Sequence, residues 1–203
     1  SGPAITMTAD VVVVGGGIGG AVLAGLLGRS GKKVIVLERS LAAGSWVRPE
    51  ILWPRSMEVL FSLLPREQWL TEAAVRLRGI DFHTGRRVVP LLAESVLESE
   101  PLLRPWSTNP NRTRELLLGL DSFELRRGVE VISVLKDGER VVGVRTRDLA
   151  SLQETDVLSH ITVGDDGANS VVRNACGIVM AVREFPVEFI CFGAEWPAAV
   201  ARD

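Results

Sequence analysis

The sequence is poor in the residues that build metal centres and disulfide frameworks. Its 203 residues include two cysteines, Cys176 and Cys191, and two histidines, His83 and His160. Neither cysteine belongs to a C-x-x-C pair or stands beside a histidine, so neither a disulfide scaffold nor a zinc site is indicated. Both are expected to be reduced, buried thiols of a cytoplasmic protein. The histidines are far apart and have no carboxylate at a useful spacing, so neither is a credible general base. No window holds the roughly 18 uninterrupted apolar residues that a membrane-spanning helix requires. The opening Ser-Gly-Pro lacks the basic start of a secretory signal, and the residues ahead of Met7 are expected to be an expression remnant. An excess of either charge is also missing: a formal net charge of -2 gives no electrostatic reason for a nucleic-acid or anionic-membrane partner. There is no internal repeat and no low-complexity tract.

Glycine and β-branched residues are what the sequence does have, and they are concentrated at one place. Residues 11 to 20 read VVVVGGGIGG. Asp10 to Val14 is expected to be a strand, because Val11 to Val14 is a continuous apolar run of the kind a buried parallel strand needs. A helix is expected over Ile18 to Arg29, with Val22, Leu23, Leu26 and Leu27 on one face, and a second apolar strand over Lys33 to Glu38. Gly31 falls where a left-handed helix cap is favoured. The unit is βαβ.

Farther along, Gly44, Pro49 and Pro54 break the pattern, and a helix resumes after Pro54. GIDFHTGRRVVPL predicts a hairpin turning at Thr84 and Gly85, and NPNRTRELLLGL predicts a helix capped by Asn109 or Asn111. LESEPLLRP is expected to be a polar edge ahead of a proline-broken strand. A second hairpin turns at Asp137 and Gly138. The strand SHITVG then leads into the turn-helix DDGANSVVR, and Val182 to Ala194 is again expected to be a strand. The five tryptophans, Trp53 and Trp106 among them, read as ordinary core or surface residues in preference to an aromatic pocket.

Gly15, Gly17 and Gly20 satisfy G-x-G-x-x-G, the pattern of a dinucleotide site. The first glycine makes a tight turn, the second lets backbone approach a pyrophosphate, and the third lets helix and strand pack closely. Ile18 and Gly19 complete the loop, whose amides start a helix and face a negative group with the helix dipole behind them. Glu38 ends the next strand about 20 residues on, where a carboxylate accepts hydrogen bonds from ribose hydroxyls. That carboxylate repels a 2'-phosphate, so the site suits FAD or NAD over NADP, with Arg39 as the one opposing charge.

Four stretches together resemble the FAD-dependent monooxygenases of the p-hydroxybenzoate hydroxylase type. They are VVVVGGGIGGAVLAGLLGRSGKKVIVLER, the arginine of SWVRPEILWPRSMEVL, the arginine-led helix of NPNRTRELLLGL, and VGDDGANSVVRNACGI. The resemblance runs from about Ala9 to Ile178, and its most specific part is DGANSVVR. It implies that Asp166, Gly167, Ser170 and Arg173 lie beside the flavin, that Arg48 sits near the pyrophosphate, and that an arginine leading the later helix reaches the cofactor. For that arginine the sequence offers Arg112 and Arg114, and Arg112 is preferred because it stands nearer the helix start.

The fold class so implied is α/β: a Rossmann-like FAD-binding domain over residues 1–77 and 108–180, interleaved with part of a second, substrate-domain sheet over 78–107 and 181–203. The substrate is expected between flavin and second sheet, near Phe82 and Phe189. The resemblance further implies FAD as cofactor, NADH or NADPH as transient reductant, molecular oxygen, and an apolar or aromatic small-molecule substrate. No catalytic acid or base can be named, and the oligomeric state is open. The family's third signature, a Gly-Asp pair ahead of a later helix, would fall beyond Asp203. A truncated chain, missing segments and a minimised scaffold stay open as explanations. The alternatives in function are a flavin reductase, an alkene reductase or a halogenase on the same fold, or a non-catalytic FAD binder.

Overall fold

The computed structural model describes residues 6–42, 44, 50–99 and 104–186. In chain order its elements are β1 (Thr6–Val14), α1 (Ile18–Arg29), β2 (Val34–Glu38), β3 (Glu50–Leu52), α2 (Pro54–Leu63), α3 (Arg66–Glu72), β4 (Ala74–Arg76), β5 (Ile80–Thr84), β6 (Arg87–Leu92), α4 (Glu94–Ser99), β7 (Trp106–Thr108), α5 (Pro110–Leu118), β8 (Glu124–Arg127), β9 (Val129–Asp137), β10 (Arg140–Asp148), β11 (Glu154–Gly164) and α6 (Val171–Ala175).

The main sheet has the order β8-β2-β1-β11-β10-β9. Its first four strands run parallel, and β10 and β9 continue it antiparallel. Every residue of β2 is buried, as expected of a strand covered on both faces. Alternate residues then divide between two cores, following the two-residue period of a strand. Val11, Val13, Val34 and Val36 pack against helices, through Ala21 and Ala24 of α1, Met57 and Leu60 of α2, Trp69 of α3 and Leu117 of α5. Val12, Val14, Ile35 and Leu37 face the other way, onto Val131, Val144, Val157 and Val172. The sheet therefore curls over itself, bringing β9 back onto β2.

The helix side is fixed by one hydrogen-bonded chain as well as by apolar contact. The indole N–H of the fully buried Trp69 donates to Thr113 Oγ1 at 2.9 Å, Thr113 and Thr108 hydroxyls lie 2.7 Å apart, and Thr108 donates to the Ala73 carbonyl at 2.9 Å. Phe61 and Trp106 both meet Trp69 edge to face. Trp106 is thus core, while Trp53 is exposed. Asn109 caps α5, accepting from the amides of Asn111 and Arg112. Gly31, at φ 83°, ends α1 with its amide on Gly28 and that of Lys32 on Leu27, the paired bonds of a left-handed cap.

Two small sheets complete the described residues: β3-β7-β4, and the hairpin β5-β6, which turns at Gly85 as expected. Phe82, Val88, Val89 and Leu91 on that hairpin are exposed. Three expectations need correction. Of LESEPLLRP, Leu97 to Ser99 form the end of helix α4 with Leu97 fully buried and so are not a polar edge, while residues 100–103 lie outside the described residues. Val182 to Pro186 is irregular, with no partner strand among the described residues, and the rest of that expected strand, Phe189 included, lies outside them. Cys176 is exposed at the end of α6 and is not a buried thiol; Cys191 lies outside the described residues.

Candidate functional site

The parallel strands β1 and β11 end side by side, and the chain leaves β1 toward β2 on one side while β11 occupies the other. Ligands of open α/β sheets bind in the crevice beyond the carboxyl ends of such strands. There the glycine loop meets the segment after β11. The Asp165 amide donates to the Val14 carbonyl at 2.7 Å, and the Gly15 amide to the Leu37 carbonyl at 2.9 Å. Gly15, at φ 98°, lies so close to the Asp165 carbonyl that no Cβ fits between them. Gly20 does the helix-packing job expected of the third glycine: a Cβ there would stand 2.6 Å from the Gly15 carbonyl oxygen and 3.0 Å from Val13 Cγ1.

Beside the loop is a cavity of about 430 Å³ lined by Val14 to Gly17, Leu37 to Ser40, Val129 to Val131, and Asp165, Asp166, Ala168, Asn169 and Val171. Glu38, buried at 8% exposure, forms one wall. Its Oε2 accepts from the Gly16 amide at 2.8 Å and pairs with Arg114 Nη2 at 2.9 Å, while Oε1 accepts from the Ser40 amide at 2.7 Å. Burial alone would push this carboxyl up, but the amides of Ser40 and Gly16 and the Arg114 guanidinium together outweigh it and hold the group below the ordinary glutamate range. A carboxylate offers about four acceptor positions. Three bonds leave Oε1 able to take a hydroxyl proton from the cavity.

Arg114 also donates through Nε to the Gly16 carbonyl, so one guanidinium ties the glycine loop to Glu38. Its other neighbour is Glu115, which in turn pairs with Arg127 at 2.6 Å. Arg112, preferred on sequence grounds, is carried away from the loop: it lies on Glu72 at 2.7 Å and is half exposed. Two positions along a helix rotate a side chain by about 200°. Thr113 points into the core, and the two arginines flank it on opposite sides. The correction is therefore from Arg112 to Arg114.

The Asp-Gly segment is a self-contained cap at the far wall. Asp166 Oδ1 accepts from Ser170 Oγ, its Oδ2 from the Val171 amide at 2.6 Å, and Ser170 Oγ accepts from the Arg173 amide at 3.0 Å. Gly167 takes φ 81° at the turn. Arg173 closes back on the Ala168 carbonyl at 2.8 Å. Of these residues, Asp166 lines the cavity directly; Ser170 is buried and Arg173 holds the turn. Arg39 lines the cavity but is largely exposed, 3.9 Å from Glu130. Ile18 and Gly19 lie in the first turn of α1 as expected. Arg48 lies outside the described residues.

Asp165 is among the cavity residues that were not singled out from the sequence. Asp165 Oδ2 accepts the Gly20 amide at 2.8 Å across 145 positions of chain, and no local signal marks such a contact. Among the described residues no group of acidic, cysteine and histidine side chains could hold a metal ion, and no helix is long and apolar enough to cross a membrane.

The chain is 30% identical over 184 residues to aklavinone 12-hydroxylase DnrF of Streptomyces peucetius, covering 83% of this chain and 37% of that protein. It is 31% identical over 186 residues to the protein named probable NADH-specific resorcinol 4-hydroxylase of Rhodococcus jostii, covering 83% and 32%. The chain thus spans about a third of the length of these relatives. Among solved structures, p-nitrophenol 4-monooxygenase PnpA of Pseudomonas putida shares the fold at a TM-score of 0.70 and 24% identity, over 85% of this chain and 44% of that one. Residues 8–200 match the FAD binding domain family, and the chain belongs to that family.

Proposed function

We propose that this chain forms the cofactor-binding part of an FAD-dependent monooxygenase that hydroxylates an apolar or aromatic small molecule with NADH or NADPH and molecular oxygen. The observation that carries the reading is Glu38: a buried, ionised carboxylate held by the Gly16 amide and Arg114, with acceptor capacity left on the side of the cavity. FAD fits this donor set. The first turn of α1 offers amides without intrahelical partners to a diphosphate, and Glu38 Oε1 is available to a ribose hydroxyl. The hydroxylase names of the relatives support the reaction class.

When bound, FAD supplies the redox chemistry, taking reducing equivalents from the nicotinamide and activating oxygen. The protein's residues bind and orient. Arg114 fixes the loop to Glu38, and Asp166 with Ser170 holds the turn between β11 and α6 at the cavity's edge. Arg48 is assigned to the pyrophosphate and Arg39 to the ribose side, with Gly167 and Arg173 shaping the flavin-side turn. The cofactor domain comprises residues 1–77 and 108–180. Residues 78–107 are assigned to the substrate side, where the hairpin of β5 and β6 carries the exposed Phe82 toward the substrate. A cytoplasmic location suits the free thiol of Cys176.

The test is an absorption spectrum of the purified protein followed by titration with FAD. Paired flavin bands in the visible and near-ultraviolet, or quenching of flavin fluorescence on titration, are expected. Glu38→Arg should abolish uptake. A colourless protein that takes up no added FAD, or undiminished uptake by Glu38→Arg, overturns the reading. With cofactor bound, NAD(P)H oxidation stimulated by phenolic substrates would separate a hydroxylase from a passive binder.

A further inference from the structure

The segment after β11 sends an acid into the mouth of the glycine cradle. Asp165 Oδ2 accepts the Gly20 amide at 2.8 Å, and Cβ atoms on Gly17 and Gly19 would come within 2.7 and 3.2 Å of the same carboxylate. Helix α1 supplies no anion of its own: its N-cap is Gly17, which makes no side-chain cap, and its first turn holds no acidic residue. The amides of a helix's first turn lack intrahelical partners and, with the aligned peptide dipoles, attract negative charge. Asp165 meets that demand from the other end of the fold. It is exposed, and it lines the same cavity as Gly15 to Gly17 and Glu38. The place where its carboxylate sits is the place where a cofactor's diphosphate would seek its donors. Two anions cannot share it without strong repulsion.

We propose that Asp165 is an internal occupant of the diphosphate subsite: it caps α1 in the ligand-free chain and is displaced from the Gly20 amide when the cofactor binds. The inference rests on the FAD reading above and goes beyond it by assigning this side chain an effect on affinity. A residue that only caps the helix stabilises the chain with or without ligand. An occupant stabilises the empty chain and weakens binding.

The test is FAD titration of the 203-residue chain and of its Asp165→Asn and Asp165→Ala variants, followed by flavin fluorescence, with melting curves taken without ligand and at saturating FAD. Asp165→Ala should bind FAD about tenfold more tightly, the equivalent of one charge-assisted contact at ~1.4 kcal/mol per tenfold. Asp165→Asn, which keeps the shape and loses the charge, should fall between. The ligand-free melting midpoint should drop in both variants while the gain on adding FAD grows. The difference in affinity should narrow as salt is raised, because exposed charges are screened. Equal or weaker FAD binding by both variants, with a lower ligand-free midpoint, makes Asp165 a cap alone and overturns the proposal. If neither parent nor variants take up FAD, the cofactor reading falls and this inference with it; if the parent binds and the variants match it, only this inference fails.

Discussion

Replacing Gly20 by alanine should lower the stability of the chain by about 1–2 kcal/mol, against the ordinary preference of a helix. In an exposed helix interior alanine is favoured over glycine by up to about 1 kcal/mol. At Gly20 the new methyl would stand 2.6 Å from the Gly15 carbonyl oxygen, 2.9 Å from Asp165 Oδ2 and 3.0 Å from Val13 Cγ1. The carboxylate can swing away, but the Gly15 carbonyl is backbone, held where β1 turns into the loop, and Val13 is fully buried. Overpacking against groups that cannot rotate aside costs about 1–3 kcal/mol, and opening the loop also pulls Gly16 from Glu38. The helix preference offsets part of this and leaves the stated loss. Gly25, one and a half turns on, is the control. Its nearest neighbours are methyl groups of Leu120 and Leu63 at 3.1 Å, the ends of side chains that can repack, so Gly25→Ala should change stability by less than about 0.5 kcal/mol. The assay is urea denaturation of parent and both variants, comparing midpoints at unchanged slope. A Gly20→Ala chain as stable as the parent, or more so, would refute the claim that this glycine sets the distance between α1 and β1.

Two further outcomes are expected. Because Glu38 titrates in the folded chain below its ordinary value of 4.5, its ionised form contributes stability that is complete above that pH and is lost as the pH falls through the folded value. Denaturation of parent and Glu38→Gln from neutrality to about pH 3 should show a steeper acid decline in the parent, and parallel curves would contradict the assignment. Thr113→Val should cost about 1–3 kcal/mol, because it leaves the buried Trp69 indole N–H without an acceptor; a loss under about 0.5 kcal/mol in urea would show that the pairing carries no weight.

The first βαβ unit was legible because each of its signals is local: unbroken apolar runs for β1 and β2, glycines at the turn, a glycine cap at position 31. Helix α5 and both hairpins were readable for the same reason. Strand β8, Glu-Leu-Arg-Arg, was not, since an edge strand whose outward Glu124 and Arg126 pair with each other shows no apolar pattern. Strands β3, β4 and β7 have three residues each, too few to establish a period. The choice between Arg112 and Arg114 depends on helix phase relative to the core, which Thr113 fixes by docking under Trp69. Asp165 escaped notice because its neighbour Asp166 carries the motif, while its own contact lies across the fold.

The pairing of Val14 with Gly164 joins strands whose sequence positions differ by 150. Chain closure over such a span is slow, and it is entropically costly until neighbouring contacts reward it. A nascent chain can form its first helix and two strands early, yet the pocket's opposite rim arrives only when β11 slots in beside β1. Competence to hold a nucleotide is therefore among the last properties the fold acquires and, on partial unfolding at that seam, among the first it gives up.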